Sequence, residues 1–560
     1  MTYILYIASY VSFFIVLLFS FTINYLHYMH MFQLNSYSAE EQLHWIKNNF
    51  KNIIGRHIFP ALAAIYGLIS CYGLYDKCWE KYATNDIFSS LSDVALGNFE
   101  KINGAFYSYM TTNLLVCCGL LIIGLLFCKR KQPAKKKLVF TPRVIRMCAT
   151  SIVFYGAVCA LSMIFLFENG LNVFVLCLWQ IFSLFMPMIA NVINKPIEKA
   201  VNDHYINDAK RIINELPNLI TIGITGSYGK TSTKFYLNKL LSAKYNVLMT
   251  PESYNTTMGV VKTVRGSLNA TYDYFICEMG AKGVGEIKEI CDIVHPKHSM
   301  ITSIGEQHLE TFKSVENIIR TKFEISDCIT DGTVFLNYDN ELIRNRKTDK
   351  NVVSYGFSSD YDYYADNVSV SVKGTSFTVH HGEESADFST KLIGTHNVQN
   401  ILGAIAVSNT MGVSFSELKI PVRRLEAVPH RMEIVDKGAS VIIDDAFNSN
   451  PSGAKAALDA LGLMEGYKIL VSPGMVELGE KEYELNKAFG RQAAEVCDFV
   501  IAVGEKQAEP IVDGLREAGY PDDKTFVAKN LKEALSKCDM LKTGGAKKII
   551  LLENDLPDNY

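Results

Sequence analysis

Hydropathy splits this chain, and no single globular core can accommodate the split. Up to about residue 195 the sequence is apolar in long blocks; beyond it, charged and apolar residues alternate as in a soluble α/β protein. No Asp, Glu, Lys or Arg precedes Glu40, and an apolar core runs from Tyr3 to about Tyr25. Four more stretches, His57–Tyr75, Thr111–Cys128, Cys148–Phe167 and Leu171–Ile193, come near the ~20 residues that a helix needs to cross a bilayer. The first of these contains Pro60 and also reads as a buried soluble helix. The first block has neither a basic n-region nor a small-residue cleavage site, which favours an anchor over a signal peptide. The cluster KRKQPAKKK, Lys129–Lys137, with Arg143 and Arg146, should lie in the cytoplasm by the positive-inside rule. Five spans then place the soluble part in the cytoplasm, as expected of a multi-pass cell-membrane protein. None of the spans carries a central Asp, Glu, Lys or Arg of the kind that marks an ion path, so a transporter is disfavoured. The expected organisation is a transmembrane region at 1–195, a linker helix at 196–220, and domains at 221–420 and 421–560.

The soluble part opens on TIGITGSYGKTSTKFYLNKLL, Thr221–Leu241. A β-branched run breaks at a Gly-containing turn and leads into a helix beginning near Lys230, Thr231 and Ser232. Gly226 and Gly229 let backbone N–H groups approach phosphates around Ser227, and the helix N-terminus adds partial positive charge. Lys230 supplies a mobile cation and Thr231 a hydroxyl for Mg²⁺. The spacing of the two glycines is tighter than in the common G-x-x-x-x-G-K-T. A plain connecting turn is the bland alternative; an ATP-binding P-loop is the expectation.

Further along, the strand-like run Tyr274–Cys277 ends on Glu278, where a carboxylate can hold Mg²⁺ or simply be solvated. HSMITSIGEQHLETF ends with His308 and Glu310, and Lys322 follows one helix later. By composition these read as a loop histidine and a surface lysine. Short strands from Val352 to Lys391 suggest a small β-subdomain. GTHNVQN opens an Ala-rich helix on which Asn397 and Asn400 either meet a purine or cap the helix. From about Pro421, strands alternate with helices as in a doubly wound parallel sheet, with Asp444, Asp445, Asn448, Gly474 and Glu477 at strand ends. A site is expected in the cleft between the two soluble domains.

A net charge of −3 and the lack of a basic stripe near the P-loop argue against nucleic acid as a partner. Thirteen cysteines form no C-x-x-C pair, which excludes a zinc ribbon or a thioredoxin motif.

The motifs ITGSYGKTS, YNTTMGV, CEMGAKGVGEI, EQHLETF with TKFEI, GTHNVQN, PHRMEIV, DDAFNSNP and PGMVELGE resemble, in order, those of the Mur ligases, the ATP-dependent enzymes that build the peptide of peptidoglycan. The resemblance implies an α-helical membrane region followed by a P-loop central domain and a Rossmann-like C-terminal domain. It also implies an ATP-dependent carbon–nitrogen ligase that joins D-alanyl-D-alanine or a similar amine to a muropeptide carboxylate through an acyl phosphate. Lys230 would then bind the β- and γ-phosphates, with Thr231 and Glu278 on a first Mg²⁺. His308 and a carbamylated Lys322 would serve a second. Asn397 and Asn400 would meet adenine, and Arg431 and Asp445 would reach ATP from the C-terminal domain.

The chain departs from the family pattern in three places. Apolar spans stand where the UDP-sugar-binding domain would be. The strand end that carries KGSR in the family is LLENDLPDNY, which supplies Glu553, Asp555 and Asp558. His430 occupies a usual glycine position before Arg431. The acceptor could accordingly be UDP-linked or lipid-linked. Amidation with a partner glutaminase, poly-amino-acid synthesis and a non-catalytic ATP-binding membrane module are the alternatives.

Overall fold

The computed structural model describes residues 2–83, 98–127, 137–166, 171–305, 309–447, 449–476 and 478–555. The chain forms two units, Met1–Val201 and Asn202–Leu556.

The first unit is helical: α1 Thr2–Leu34, α2 Ala39–Asn48, α3 Phe50–Ala83, α4 Asn98–Phe127, α5 Pro142–Leu166, α6 Leu171–Phe182 and α7 Met186–Asn214, the last of which runs past the division. Among the described residues, four segments are long and apolar enough to cross a membrane: Ile4–Leu34, Phe50–Tyr72, Tyr107–Phe127 and Pro142–Phe165. Pro60 does not interrupt α3. The fifth expected span is instead a bent pair, α6 and α7 meeting at 76°, and counts as a crossing only if the pair is one span. Pro187, in the first turn of α7, has no amide with which to extend the preceding helix. The segment expected as a separate linker helix is the continuation of α7 through Pro196 to Asn214.

Polar side chains join these helices to one another. Ser151 donates to Tyr25 Oη at 2.9 Å, Tyr66 to Asn113 Oδ1 at 2.9 Å, and Gln180 to the Leu17 carbonyl at 3.2 Å. Arg146 grips Glu198 through two bonds of 2.7 and 2.8 Å, and Arg143 donates to Asn191 at 2.9 Å. These two arginines, counted in the sequence as orienting charges, therefore also hold α5 to α7. Lys129–Lys131 and Lys135–Lys136 of the basic cluster lie outside the described residues.

Among its described residues the second unit contains two sheets. In the first, β1 Ile220–Thr225, β2 Val247–Met249, β3 Tyr274–Glu278, β4 His298–Ile301, β5 Thr333–Asn337 and β6 Asn351–Gly356 are joined by β7 Tyr363–Ser371, β8 Gly374–His381 and β9 Glu384–Thr390. Their order is β2-β3-β1-β4-β5-β6-β7-β8-β9. The segment expected as a separate β-subdomain instead extends this sheet. β6 pairs with β5 on one side and β7 on the other, and β7, β8 and β9 follow as antiparallel hairpins. The P-loop strand β1 lies between β3 and β4, fully sheltered, as its run of Ile222 and Ile224 requires. α8, Lys230–Leu241, and the Ala-rich helix Thr395–Thr410 pack against each other and cover one face.

The second sheet has β10 Glu433–Asp436, β11 Ser440–Asp445, β12 Tyr467–Ser472, β13 Phe499–Val503, β14 Thr525–Ala528 and β15 Lys548–Glu553, in the order β10-β11-β15-β12-β13-β14. β10 is antiparallel to β11; the other pairs are parallel. Asp445 and Glu553 are register partners at the carboxyl ends of β11 and β15, where open parallel sheets place ligands.

Candidate active site

The turn after β1 is shaped by two close approaches. Gly226, at φ +153°, lies where a Cβ would fall 2.1 Å from Thr302 Oγ1; Gly229, at φ +79°, lies where one would fall 2.5 Å from Asn400 Oδ1. Gly226 needs glycine for space, since the Ser303 backbone also lies 3.0 Å from such a Cβ, whereas Gly229 needs it chiefly for the left-handed backbone, where the Asn400 side chain could give way. The amides of Ser227 and Tyr228 are already spent on the segment after β4, donating to the Ser303 carbonyl (2.7 Å) and hydroxyl (2.9 Å). Ser227 Oγ bonds with Gly305. The expected backbone cradle is thus narrower than the sequence suggests. The donors left to an anion are those of the first turn of α8, which opens at Gly229 with no side-chain cap. Lys230 Nζ folds back on the Gly226 and Ser227 carbonyls at 2.6 and 3.1 Å. Burial lowers its pKa to about 8, opposed by Glu278 and reinforced by Arg431.

Beside this loop Glu278 is fully buried. Its Oε1 accepts from Thr231 Oγ1 at 3.0 Å and Asn255 Nδ2 at 3.1 Å. Its Oε2 makes no hydrogen bond and faces Lys234 Nζ at 3.0 Å. Burial opposes its charge, but Lys234 and Lys230 more than compensate, so it titrates below the usual glutamate range. The Thr231 hydroxyl and Oε1 of the carboxylate, in contact in the interior, form a hard-oxygen donor pair that fits Mg²⁺, while Oε2 faces the Lys234 ammonium.

Lys322 is buried on the helix Val315–Asp327, not on the surface. Among the described residues its Nζ has no hydrogen bond or salt bridge, and its nearest ring is Phe312, 5.9 Å away. Desolvation, then Lys230, push its pKa well below the lysine range. His308 lies outside the described residues, as do Asn448 and Glu477.

A cavity of about 460 Å³ is lined from both sheets, by Gly229, Ser232, Asn397, Asn400, Arg431 and Asp445 among others. Six residues singled out in the sequence thus line one cavity. Neither asparagine caps its helix. Asn397 accepts from Tyr236 Oη at 2.8 Å and donates to the Ile393 carbonyl at 2.9 Å, while Asn400 Oδ1 accepts from Thr233 at 3.3 Å. Arg431 lies over the Phe447 ring at 4.3 Å. Burial lifts Asp445 to about 6 although it accepts from the Met432 amide. His430 adopts φ +61° and bonds Asp444 at 2.8 Å, a backbone setting in which a glycine is unstrained.

Glu553, one of the acids that stand where the family carries KGSR, is turned into the interior. It is 1% exposed and accepts from the hydroxyls of Ser449 and, at 3.3 Å, Ser472. Burial pushes it up to about 8. The next residue, Asn554, accepts from the Ser449 amide and donates to the Gly474 carbonyl. Together they tie the loops after β11 and β12, because a buried carboxyl must find polar partners. Asp558 lies outside the described residues. Sequence reading missed Lys234 and His396. Lys234 had a readable signal, four residues beyond Lys230 and so on the same helix face. His396 lines the cavity and is lowered to about 4 by burial; its position next to Asn397 carried no signal of its own.

Residues 224–408 match the Mur ligase middle domain, and residues 430–552 match the Mur ligase, glutamate ligase domain. The UDP-N-acetylmuramoyl-tripeptide–D-alanyl-D-alanine ligase of Escherichia coli K12 is 30% identical over 363 residues, covering 61% of this chain and 78% of the relative. A crystal structure of MurF from Acinetobacter baumannii superposes with a TM-score of 0.58 at 25% identity, covering 64% of this chain and 78% of that one. The MurF ligase of Thermotoga maritima, solved in complex with ADP, shares the fold at a TM-score of 0.56 and 23% identity, over 63% of this chain and 80% of that one. With both ligase domains matched in sequence and in fold, the chain belongs to the Mur ligase family and is an ATP-dependent amide ligase.

Proposed function

We propose that this chain joins D-alanyl-D-alanine, or an amine like it, to the carboxylate of a muropeptide precursor at a membrane, with its ligase domains in the cytoplasm. The observation that carries the reading is the cavity lined by Asn397 and Asn400 of the helix over the first sheet, by Arg431 in the turn before β10 and by Asp445 at the end of β11, together with the Thr231–Glu278 pair.

The acceptor carboxylate attacks the γ-phosphorus of ATP, forming an acyl phosphate and releasing ADP. The amine then attacks the acyl carbon, the amide bond forms, and phosphate leaves with the electron pair of the C–O bond while the amine proton passes to solvent. No protein nucleophile is needed, so the rate must come from positioning and charge. Lys230 exchanges the carbonyls of Gly226 and Ser227 for phosphate oxygens. Asn397 and Asn400 orient the adenine, and Ser232 lines the same wall. Arg431, held over Phe447, faces the transferred phosphoryl group with Asp445 beside it. Thr231 and Glu278 would hold a first Mg²⁺, and His308 with Lys322 a second; bound there, the ions neutralise charge on the phosphates.

Lys322 suits carbamylation. Its amine is buried, unpaired among the described residues and biased toward the neutral form. From the neutral amine, the lone pair of Nζ attacks CO₂, a C–N bond forms as one C–O π bond gives its pair to oxygen, one proton leaves, and a neutral group becomes an anion near Lys230. The likeness to ligases acting on UDP-N-acetylmuramoyl-tripeptide supports a UDP-linked acceptor. The apolar helices of the first unit favour a lipid-linked one as a second reading.

The test is ADP release by the detergent-solubilised chain, given ATP, Mg²⁺, UDP-N-acetylmuramoyl-tripeptide and D-alanyl-D-alanine, omitting each in turn. Release that needs both substrates, with a product heavier by one dipeptide, is expected. Release only with a lipid-linked muropeptide would select the second reading, and release with neither would overturn both.

A further inference from the structure

Lys234 is a lysine with no exposed side-chain surface, and neither the P-loop nor the cavity wall accounts for it. Its ammonium lies 3.0 Å from Glu278 Oε2 and donates to the Glu252 carbonyl, in a loop where Glu252 itself adopts φ +43°. The Phe235 ring is 4.9 Å away. A lysine is buried this completely only when paired. Here it connects three segments: α8, the end of β3, and the loop after β2. Across the carboxylate, Thr231 and Asn255 both donate to Oε1. The two oxygens of Glu278 are therefore inequivalent. One faces a fixed cation; the other shares its site with the hydroxyl proposed to hold the ion.

We propose that Lys234 is a positioning residue that pins Glu278 through Oε2, so that Oε1, beside Thr231, is the oxygen presented to the divalent cation. The inference rests on the metal-site reading above and deepens it. A cation added on the Oε2 side would meet the Lys234 ammonium within a few ångströms in a poorly screened interior. On the Oε1 side it meets a hydroxyl and an amide oxygen-bearing group that can turn toward it. Lys234 thus acts through Glu278 and touches no substrate.

The experiment compares the full detergent-solubilised chain with Lys234→Met, which keeps the stem and removes the charge. Mn²⁺ binding in the presence of ADP is read from the free-ion EPR signal, and ADP binding is measured separately. The expected result is a Mn²⁺ Kd raised tenfold or more with ADP affinity within threefold. Turnover should approach the wild-type value only at raised Mg²⁺. Lys234→Arg, which restores the charge, should recover part of the ion affinity. A merely structural lesion would lower ADP binding and turnover at every Mg²⁺ concentration, and that result would overturn the proposal. So would unchanged Mn²⁺ affinity in a folded Lys234→Met.

Should that variant not fold, Lys234→Met/Glu278→Gln removes both charges and is compared with Glu278→Gln alone. Equal Mn²⁺ affinities are expected if Lys234 acts only through Glu278; a further loss in the double variant overturns that. Absence of Mn²⁺ binding by the wild-type chain would sink the metal-site reading itself, whereas wild-type binding unaffected by Lys234→Met sinks only this inference.

Discussion

Replacing Glu553 by glutamine should make the C-terminal sheet less sensitive to alkaline pH. The carboxyl is buried at the end of β15 between two serine hydroxyls, and burial pushes it from 4.5 up to about 8. Below pH 4.5 the group is protonated whether the chain is folded or unfolded. Between 4.5 and 8 the native state holds one proton more than the unfolded state, so stability falls as pH rises and the loss is complete above 8. At about 1.4 kcal/mol per pH unit the full span is worth on the order of 5 kcal/mol. Asp445, raised to about 6, acts in the same direction at lower pH in both proteins. Its contribution cancels in the comparison, so the two should diverge steadily from pH 5.5 to 8, by about 3–4 kcal/mol, and run parallel above 8. Glutamine can accept from one serine and donate to the other, so the loops after β11 and β12 stay tied. The assay is pulse proteolysis of the full chain in urea, following the C-terminal domain from pH 5.5 to 8.5. Parallel pH dependences for wild type and Glu553→Gln would refute the assignment of a protonated buried carboxyl.

Three further outcomes are expected. Lys230→Ala removes the cation that sits on the Gly226 and Ser227 carbonyls, and substrate-dependent ADP release should fall by about 10²–10³-fold while the fold persists. Lys322→Ala should abolish turnover and regain part of it with a short-chain carboxylate; ¹³CO₂ labelling of the wild type should give a carbamate signal that the variant lacks. Gly229→Ala forces a Cβ to 2.5 Å from Asn400 Oδ1 at φ +79°, and should cost about 1–3 kcal/mol in urea unfolding and weaken ADP binding.

Much of the site was legible because its chemistry is local. The Gly-Lys-Thr turn, the strand ending on Glu278 and the paired asparagines of GTHNVQN each carry their meaning within a few residues. Asp445 was singled out at a strand end and Arg431 through the resemblance, and the cavity that places them with Asn397 and Asn400 is a tertiary fact. The strands from Val352 to Lys391 were read as strands but misplaced as a subdomain. Alternating polarity reports that a strand has a wet face and says nothing of its neighbour; β6 joined the hairpins to the main sheet through pairing on both edges. Glu553 counts in the sequence as one more acid of the C-terminal strand end, and its burial is not visible there, because a sequence gives a residue's charge in water and not in the surroundings it acquires.

The sequence by itself determined the division into an apolar helical region and a ligase, since bilayer-length hydropathy and phosphate-binding turns are properties of contiguous chain. It also determined the helix face on which Lys230 and Lys234 lie four residues apart. Only the tertiary structure decided what those residues meet: that Lys234 pairs with Glu278, that Lys322 is buried and that the P-loop amides are partly spent on Ser303. The reason is physical. Desolvation and pairing depend on which distant segments close over a side chain, and closure across a sheet of order β2-β3-β1-β4 brings together residues that no local pattern relates.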